Sequence, residues 1–188
     1  ATRKAIQGNW LDLPLCDREF TAVVGDGVLV AINPVEYKTL FGQLAKVLLP
    51  NARIMFRLYE TPEPGERIAQ VRDAAMGGSI KGFHAFKWRL AMAIAAQSGN
   101  PEVPVMAIHE AFERNFPERA ALSAATGWPI EEIAEIDAYD GNRLILHFPT
   151  RRELLAHLPP TVSSPRFLPS GDYELSERCP FFVTEVSP

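Results

Sequence analysis

The feature that most constrains the fold is a strand–helix–strand unit in the first third of the chain. An apolar run, Phe20 to Val24, stops at Gly25-Asp26-Gly27, which is typical of a buried strand closed by a glycine turn. Asn33-Pro34 then begins a segment whose apolar residues recur at helical spacing, and this predicts a helix over 34–48. A second β-rich run covers 53–59. A helical crossover of this length joins parallel strands with a right-handed connection, so the unit predicts an open α/β sheet.

The middle of the chain, about 65–137, is predicted to be an all-helical insertion. Apolar residues recur there at helical spacing, and Gly77-Gly78 separates the first two segments. The predicted helices cover 66–76, 83–98, 105–116 and 130–136.

The last part of the chain is predicted to return to the sheet. A third parallel strand is expected at 143–148, a helix at 151–158 and a proline-rich loop at 159–169. A last strand is expected at 180–186. No repeat or linker divides the sequence, which therefore predicts a single domain over 1–188.

Composition and charge narrow the class of partner. Hydrophobic residues make up 47% of the chain and charged residues 22%, which is typical of a folded globular protein. The net charge is -4, from 19 basic and 23 acidic residues, so no strong positive field would attract nucleic acid or anionic lipid. A small-molecule partner is expected. No apolar run reaches the ~20 residues of a membrane span, and no secretory signal is visible, so a cytoplasmic location is expected.

Known catalytic and phosphate-binding motifs do not match. Gly25-Asp26-Gly27 is not a dinucleotide fingerprint, because Val30 stands where the third glycine would be. It lies at the carboxyl end of a predicted strand, where ligands of open α/β sheets bind, and both a ligand loop and a plain glycine turn remain open. The four histidines are scattered among unrelated elements, so no metal site is predicted. They are His84, His109, His147 and His157.

One predicted helix is rich in aromatic and basic residues. Phe83, His84, Phe86, Trp88 and Arg89 crowd its first turns. An aromatic helix over a strand-end cleft would suit a substrate lid. The spacing of Phe83 and Phe86 equally suits an ordinary core face, which is the stronger interpretation.

The order of several short motifs resembles class I S-adenosylmethionine-dependent methyltransferases. Gly8-Asn9-Trp10-Leu11-Asp12-Leu13-Pro14-Leu15 is similar to the family's acidic-or-amide residue placed before a Leu-Pro pair. The run from Phe20 to Leu29 is similar to its Phe-Asp-x-Val strand, with Thr21 in place of aspartate.

The resemblance continues downstream. Residues 40–53 are similar to the family's helix, its Leu-Lys-Pro-Gly-Gly turn and its next strand, with Asn51-Ala52 in place of Gly-Gly. Segments 136–139, 148–150 and 153–155 are similar to the C-terminal region of small-molecule methyltransferases.

The resemblance implies a Rossmann-like, mostly parallel sheet, with the last strand antiparallel between its neighbours, and S-adenosylmethionine as cofactor. Asn9 and Trp10 would contact the adenine, and the Gly25–Gly27 segment would pass beside the methionine part. Glycine allows a close approach of the backbone, and an aspartate favours an ammonium group. Arg57 and Tyr59 would face a small-molecule substrate. No general base can be assigned, and His84 is a candidate because its helix is expected to lie over the cleft.

The family's glycine-rich loop and its ribose-binding acid belong to strands that precede the part matched here. The sequence is therefore expected to correspond to the C-terminal portion of such an enzyme. This chain alone is expected to bind the cofactor weakly or not at all and to show no methyl transfer. The exposed flank of strand 20–25 makes a homo-oligomer plausible. A methyltransferase-like binding or scaffolding module without catalysis is the alternative.

Overall fold

The computed structural model describes residues 5–15 and 18–187. Its main sheet has four strands in the order β1–β2–β6–β5. β1 runs parallel to β2, and β6 lies antiparallel between β2 and β5. The parallel pair and the antiparallel last strand agree with the predictions. The prediction that Phe20 to Val24 forms a buried strand is wrong, because β1 pairs with β2 alone among the described residues and none of its side chains is fully buried. The four strands are β1 Phe20–Asp26, β2 Leu48–Arg57, β5 Val162–Leu168 and β6 Phe181–Val186.

The first helix, α1 (Tyr37–Val47), forms where the sequence predicts it. The side chain of Asn33 accepts a hydrogen bond from the Val35 amide at 3.1 Å and so caps the short 3-10 turn that leads into the helix. The apolar face of α1 is buried against the sheet, where Phe41 contacts Phe56 and Phe182 at centroid distances of 6.3 and 6.2 Å. This packing fixes the crossover between β1 and β2.

The insertion carries a second hydrophobic core built around helix α3 (Phe83–Ser98). Its central members are the aromatic side chains of Phe83, Phe86, Phe112, Phe116 and Trp128. The core-face interpretation of Phe83 and Phe86 is therefore confirmed, since both are fully buried. The remaining helices are α2 Ile68–Met76, α3 Phe83–Ser98, α4 Val105–Asn115, α5 Arg119–Thr126, α6 Ile130–Ala134 and α7 Arg151–Ala156.

The prediction that 143–148 joins the main sheet is wrong. β4 (Ile145–His147) pairs antiparallel with β3 (Glu102–Pro104) in a separate two-stranded sheet. The insertion is therefore not all-helical. The Phe148 amide donates to the carbonyl oxygen of Pro101 at 2.8 Å, and His147 Nδ1 lies 3.2 Å from the carbonyl oxygen of Val30. These contacts hold the segment beside β3. A strand as short as β3, ending in proline, gives no periodic signal.

The prediction of a loop over 159–169 is also wrong, because most of that segment forms β5. Proline is tolerated in an edge strand or at a bulge, where its missing N–H leaves no ladder bond unmade. β5 is an edge strand, and its register shifts between Ser163 and Arg166, around Pro165. Ser164 has a φ of 55° there. The prolines therefore mark an irregular edge strand.

Asn51 lies inside β2, where the register with β1 shifts. It has a φ of 62°, in the left-handed region that glycine enters freely. Asparagine enters this region more readily than most other non-glycine residues. Asn51 can therefore supply the left-handed bulge residue, although the sequence departs from Gly-Gly at this point. β2 begins at Leu48 and ends at Arg57, so Tyr59 lies just beyond it.

No helix within the described part of the chain is long and apolar enough to cross a bilayer.

One edge of β1 is expected to mediate self-association. Within residues 5–15 and 18–187, β1 pairs with β2 alone. Val24 is 71% exposed, and Asp26 at the end of β1 is its one charged residue. An edge strand with so few charges is a template for pairing with another chain. We expect sedimentation velocity to show concentration-dependent dimers, which Val24→Lys abolishes. Val35→Lys is the matched control, because Val35 is 72% exposed but lies in the 3-10 turn Pro34–Glu36 and not in a strand. Equal dimer fractions in the two variants would contradict the expectation.

Candidate functional site

An ion pair joins the carboxyl ends of β1 and β2. Asp26 and Arg57 are register partners in the two parallel strands, so their side chains lie at the same edge of the sheet. Arg57 Nε donates to Asp26 Oδ1 at 2.7 Å, and Nη2 donates to Oδ2 at 2.6 Å. These hydrogen bonds raise the pKa of the Arg57 guanidinium. The pairing fixes the orientation of a carboxylate that is 64% exposed.

Two tyrosines complete the cluster around Arg57. Nη2 donates to the Tyr59 hydroxyl oxygen at 3.2 Å, and Nη1 donates to the Tyr173 hydroxyl oxygen at 3.3 Å. The guanidinium carbon lies 5.6 and 5.8 Å from the two ring centroids, within the range of cation–π contact. Ser170 Oγ lies 2.7 Å from the Tyr173 hydroxyl. Arg57 therefore organises residues from β1, from the end of β2 and from the segment between β5 and β6.

The two glycines that flank Asp26 have different structural roles. Gly27 has a φ of 62°, and its amide donates to the carbonyl oxygen of Arg57 at 3.2 Å. A Cβ on Gly27 would meet Tyr59 at an ordinary distance of 3.5 Å. A Cβ on Gly25 would lie 2.5 Å from Val28 and 2.9 Å from Phe56. Gly25 is therefore required for packing, whereas Gly27 forms the left-handed turn after β1.

Helix α3 supplies a third side to the site. The rings of Tyr59 and Trp88 stack at a centroid distance of 4.5 Å. Trp88 Nε1 donates to His84 Nε2 at 2.9 Å, which assigns the imidazole proton to Nδ1. Burial and the nearby Lys87 lower the pKa of His84, so the ring is neutral at pH 7. In this arrangement His84 orients Trp88. The one basic nitrogen of His84, Nε2, already accepts the hydrogen bond from Trp88.

Asn9 and Trp10 lie apart from this cluster. Asn9 Oδ1 accepts a hydrogen bond from the Leu11 amide at 2.9 Å and closes a local turn. Trp10 lines an apolar cavity with Phe20, the residue that begins β1, and with parts of α1. Asp26 ends the same seven-residue strand, roughly 20 Å away at the usual rise per residue. The structure thus brings together the residues predicted at 25–27, 57, 59 and 84, but not those at 9 and 10.

A second charged cluster lies in the insertion. The potential ligand atoms of His109, Glu113 and Asp137 lie within 4.8 Å of one another. Arg119 donates to Glu113 at 2.5 Å and to Asp137 at 2.6 Å. A metal ion would have to displace this guanidinium, so the arrangement is best described as an ion-pair network.

No family model and no curated protein matches the sequence. Similar solved structures include a SAM-dependent methyltransferase from Methanosarcina mazei, with a TM-score of 0.43 and 14% identity over 96% of this chain and 65% of that one. Another is geranyl diphosphate C-methyltransferase from Streptomyces coelicolor A3(2), solved with Mg²⁺, geranyl-S-thiolodiphosphate and S-adenosyl-L-homocysteine. Its TM-score is 0.30, with 13% identity over 95% of this chain and 50% of that one. The chain thus spans less than two thirds of either protein.

Proposed function

We propose that this chain is part of a methyltransferase that binds S-adenosylmethionine at the carboxyl edge of β1 and β2 and transfers its methyl group to a small molecule. The observation that carries the proposal is the register pair of Asp26 and Arg57 at the ends of two parallel strands. Open α/β sheets bind ligands at this edge. The methyltransferase-like motifs of the sequence support the same assignment.

The residues at this edge suit the methionine part of the cofactor. Each Asp26 oxygen accepts one hydrogen bond from Arg57 and keeps further acceptor capacity. Asp26 can therefore accept a hydrogen bond from an ammonium group, although the neighbouring guanidinium reduces the gain from charge. A Cβ on Gly27 would contact Tyr59 at 3.5 Å, so the missing side chain leaves room for a ligand group of about the size of a methyl beside the backbone.

When bound, S-adenosylmethionine supplies an electrophilic methyl group on a sulfonium. The residues of this chain would act mainly by positioning, because methyl transfer requires the acceptor to lie in line with the methyl group and sulfur. Arg57 would hold Asp26, Tyr59 and Tyr173 in fixed positions. His84 would hold Trp88 against Tyr59, which gives the site a rigid aromatic side. His84 cannot take a proton at Nε2 while it holds Trp88.

Saturation-transfer NMR with S-adenosylhomocysteine tests the proposal. We expect weak binding at millimolar ligand, and a several-fold loss of signal in Gly27→Ala, because the added methyl group fills the approach to the turn. Gly127→Ala is the matched control. Gly127 also has a positive φ, 75°, so both variants carry a similar strain of about 1–2 kcal/mol.

Equal signals in the two variants would contradict the assignment of the turn. No signal in the wild-type chain would instead favour the binding or scaffolding module.

A further inference from the structure

The two tyrosines beside Arg57 have hydroxyl protons available for a ligand. Arg57 donates to both hydroxyl oxygens, so neither tyrosine uses its own O–H in these contacts. Ser170 can donate to Tyr173 in the same way. A hydroxyl that accepts from a cation becomes a stronger donor, because hydrogen bonds in a chain polarise one another. Tyr59 and Tyr173 therefore present two strengthened donors around one guanidinium.

Arg57 itself is not free to clamp an anion. Its Nε and Nη2 edge is the one that would bind a carboxylate with two parallel hydrogen bonds, and Asp26 occupies that edge. Arg57 uses four of its five N–H groups in contacts with Asp26, Tyr59 and Tyr173, so a second anionic group at this site would be bound mainly through the two hydroxyls, beside the guanidinium.

The two tyrosine hydroxyls can be reached from solvent and are protonated at neutral pH. Tyr173 is 39% exposed, so a ligand can reach the cluster from solvent. Burial raises the pKa of Tyr59 despite the opposing effect of Arg57, so its hydroxyl keeps its proton at neutral pH.

We propose that Tyr59 and Tyr173 donate their hydroxyl protons to an anionic oxygen group, such as a carboxylate, on the methyl acceptor. This inference rests on the proposed function, because that function places the acceptor at this edge. It narrows the substrate class to small molecules that carry an anionic oxygen near the methylated atom.

Titration with benzoate tests the inference, with benzylamine as the oppositely charged control ligand. The chain contains four tyrosines, so ring-carbon NMR of ¹³C-labelled tyrosine reports on each of them. We expect benzoate to shift Tyr59 and Tyr173 and to leave Tyr37 and Tyr139 unchanged, whereas benzylamine shifts neither group. Tyr173→Phe should weaken benzoate binding roughly tenfold, the usual effect of one hydrogen bond to a charged group. Tyr139→Phe should not change it.

The inference is overturned if Tyr173→Phe binds benzoate as tightly as Tyr139→Phe, if benzoate leaves Tyr59 and Tyr173 unshifted, or if benzylamine shifts them equally. Tyr173 is partly exposed, so its variant tests the inference even if Tyr59→Phe fails to fold. S-Adenosylhomocysteine is titrated in parallel into the ¹⁵N-labelled chain, whose amide signals report on the turn. Shifts at Gly25–Gly27 from that ligand, without a benzoate effect, would overturn the inference alone. A benzoate effect without those shifts would contradict the proposed function while supporting the anion site.

Discussion

Phe86→Ala is expected to lower the free energy of unfolding by about 3–5 kcal/mol, the usual cost of removing a buried phenylalanine ring. Phe86 is fully buried. Its ring centroid lies 5.6, 6.2, 5.2 and 5.3 Å from those of Phe83, Phe112, Phe116 and Trp128. Removing it opens a cavity that four rigid rings cannot easily fill.

Urea denaturation followed by tryptophan fluorescence measures this change, because Trp128 is one of the four rings. Phe20→Ala is the control, since Phe20 is 40% exposed and should lose much less. A loss below about 1 kcal/mol for Phe86→Ala would show that the insertion can repack, contrary to the close packing expected of protein cores.

Glu66→Ala is expected to cost about 3 kcal/mol, because it leaves two largely buried arginines without their shared partner. Arg89 Nη2 lies 2.5 Å from Glu66, and Arg178 Nη1 lies 2.6 Å from it. The arginine side chains are only 17% and 12% exposed. Arg178 Nη1 is close enough to Glu66 for an ion pair, but within the described residues it makes no hydrogen bond of good geometry. The Arg89 contact is therefore the stronger of the two.

The same ion pairs should make stability depend on pH. Burial alone would raise the pKa of Glu66, but the contacts with Arg89 and Arg178 outweigh it and lower that pKa. A lowered pKa in the folded state stabilises the protein above the unfolded value of about 4.3, and the contribution disappears as the pH falls through the folded value. The difference in unfolding free energy between wild type and Glu66→Gln should therefore shrink below about pH 4.

Glu177→Gln is the control for this measurement. Glu177 also contacts Arg178, at 3.5 Å, but it is 67% exposed, and exposed ion pairs contribute little. Similar pH profiles for the two variants would contradict the assignment of the effect to Glu66.

The part of the fold that the sequence predicted is the part with strong local periodicity. α1 and β2 each bury apolar side chains at regular spacing, and that spacing identified them. β1 was identified by its β-rich apolar run, although none of its seven residues is fully buried. β3 and β4 are each only three residues long and pair with each other across the insertion, which no local pattern reports. β5 was missed because Pro165 weakens its strand signal, while its irregular edge position tolerates that proline.

The site residues divide in the same way, into those that a local sequence pattern identifies and those that only tertiary contacts bring together. Asp26 was identifiable because it follows a predicted strand, and Arg57 because the resemblance placed it near the end of the next parallel strand. Parallel strands end at one edge of a sheet. Tyr173 had no such signal. It lies in a loop between β5 and β6, and only the tertiary fold brings it to Arg57. The positions of Asn9 and Trp10 depend on how a segment without regular structure packs, so the sequence motif alone did not fix their distance from Asp26.

The most direct test of the central claim is an amide NMR titration of the ¹⁵N-labelled chain with S-adenosylhomocysteine. Binding at the carboxyl edge predicts saturable shifts concentrated at Gly25, Asp26 and Gly27 and at the end of β2, with weak affinity in the millimolar range. Shifts confined to the apolar cavity beside Trp10, or no shifts at millimolar ligand, would contradict the account.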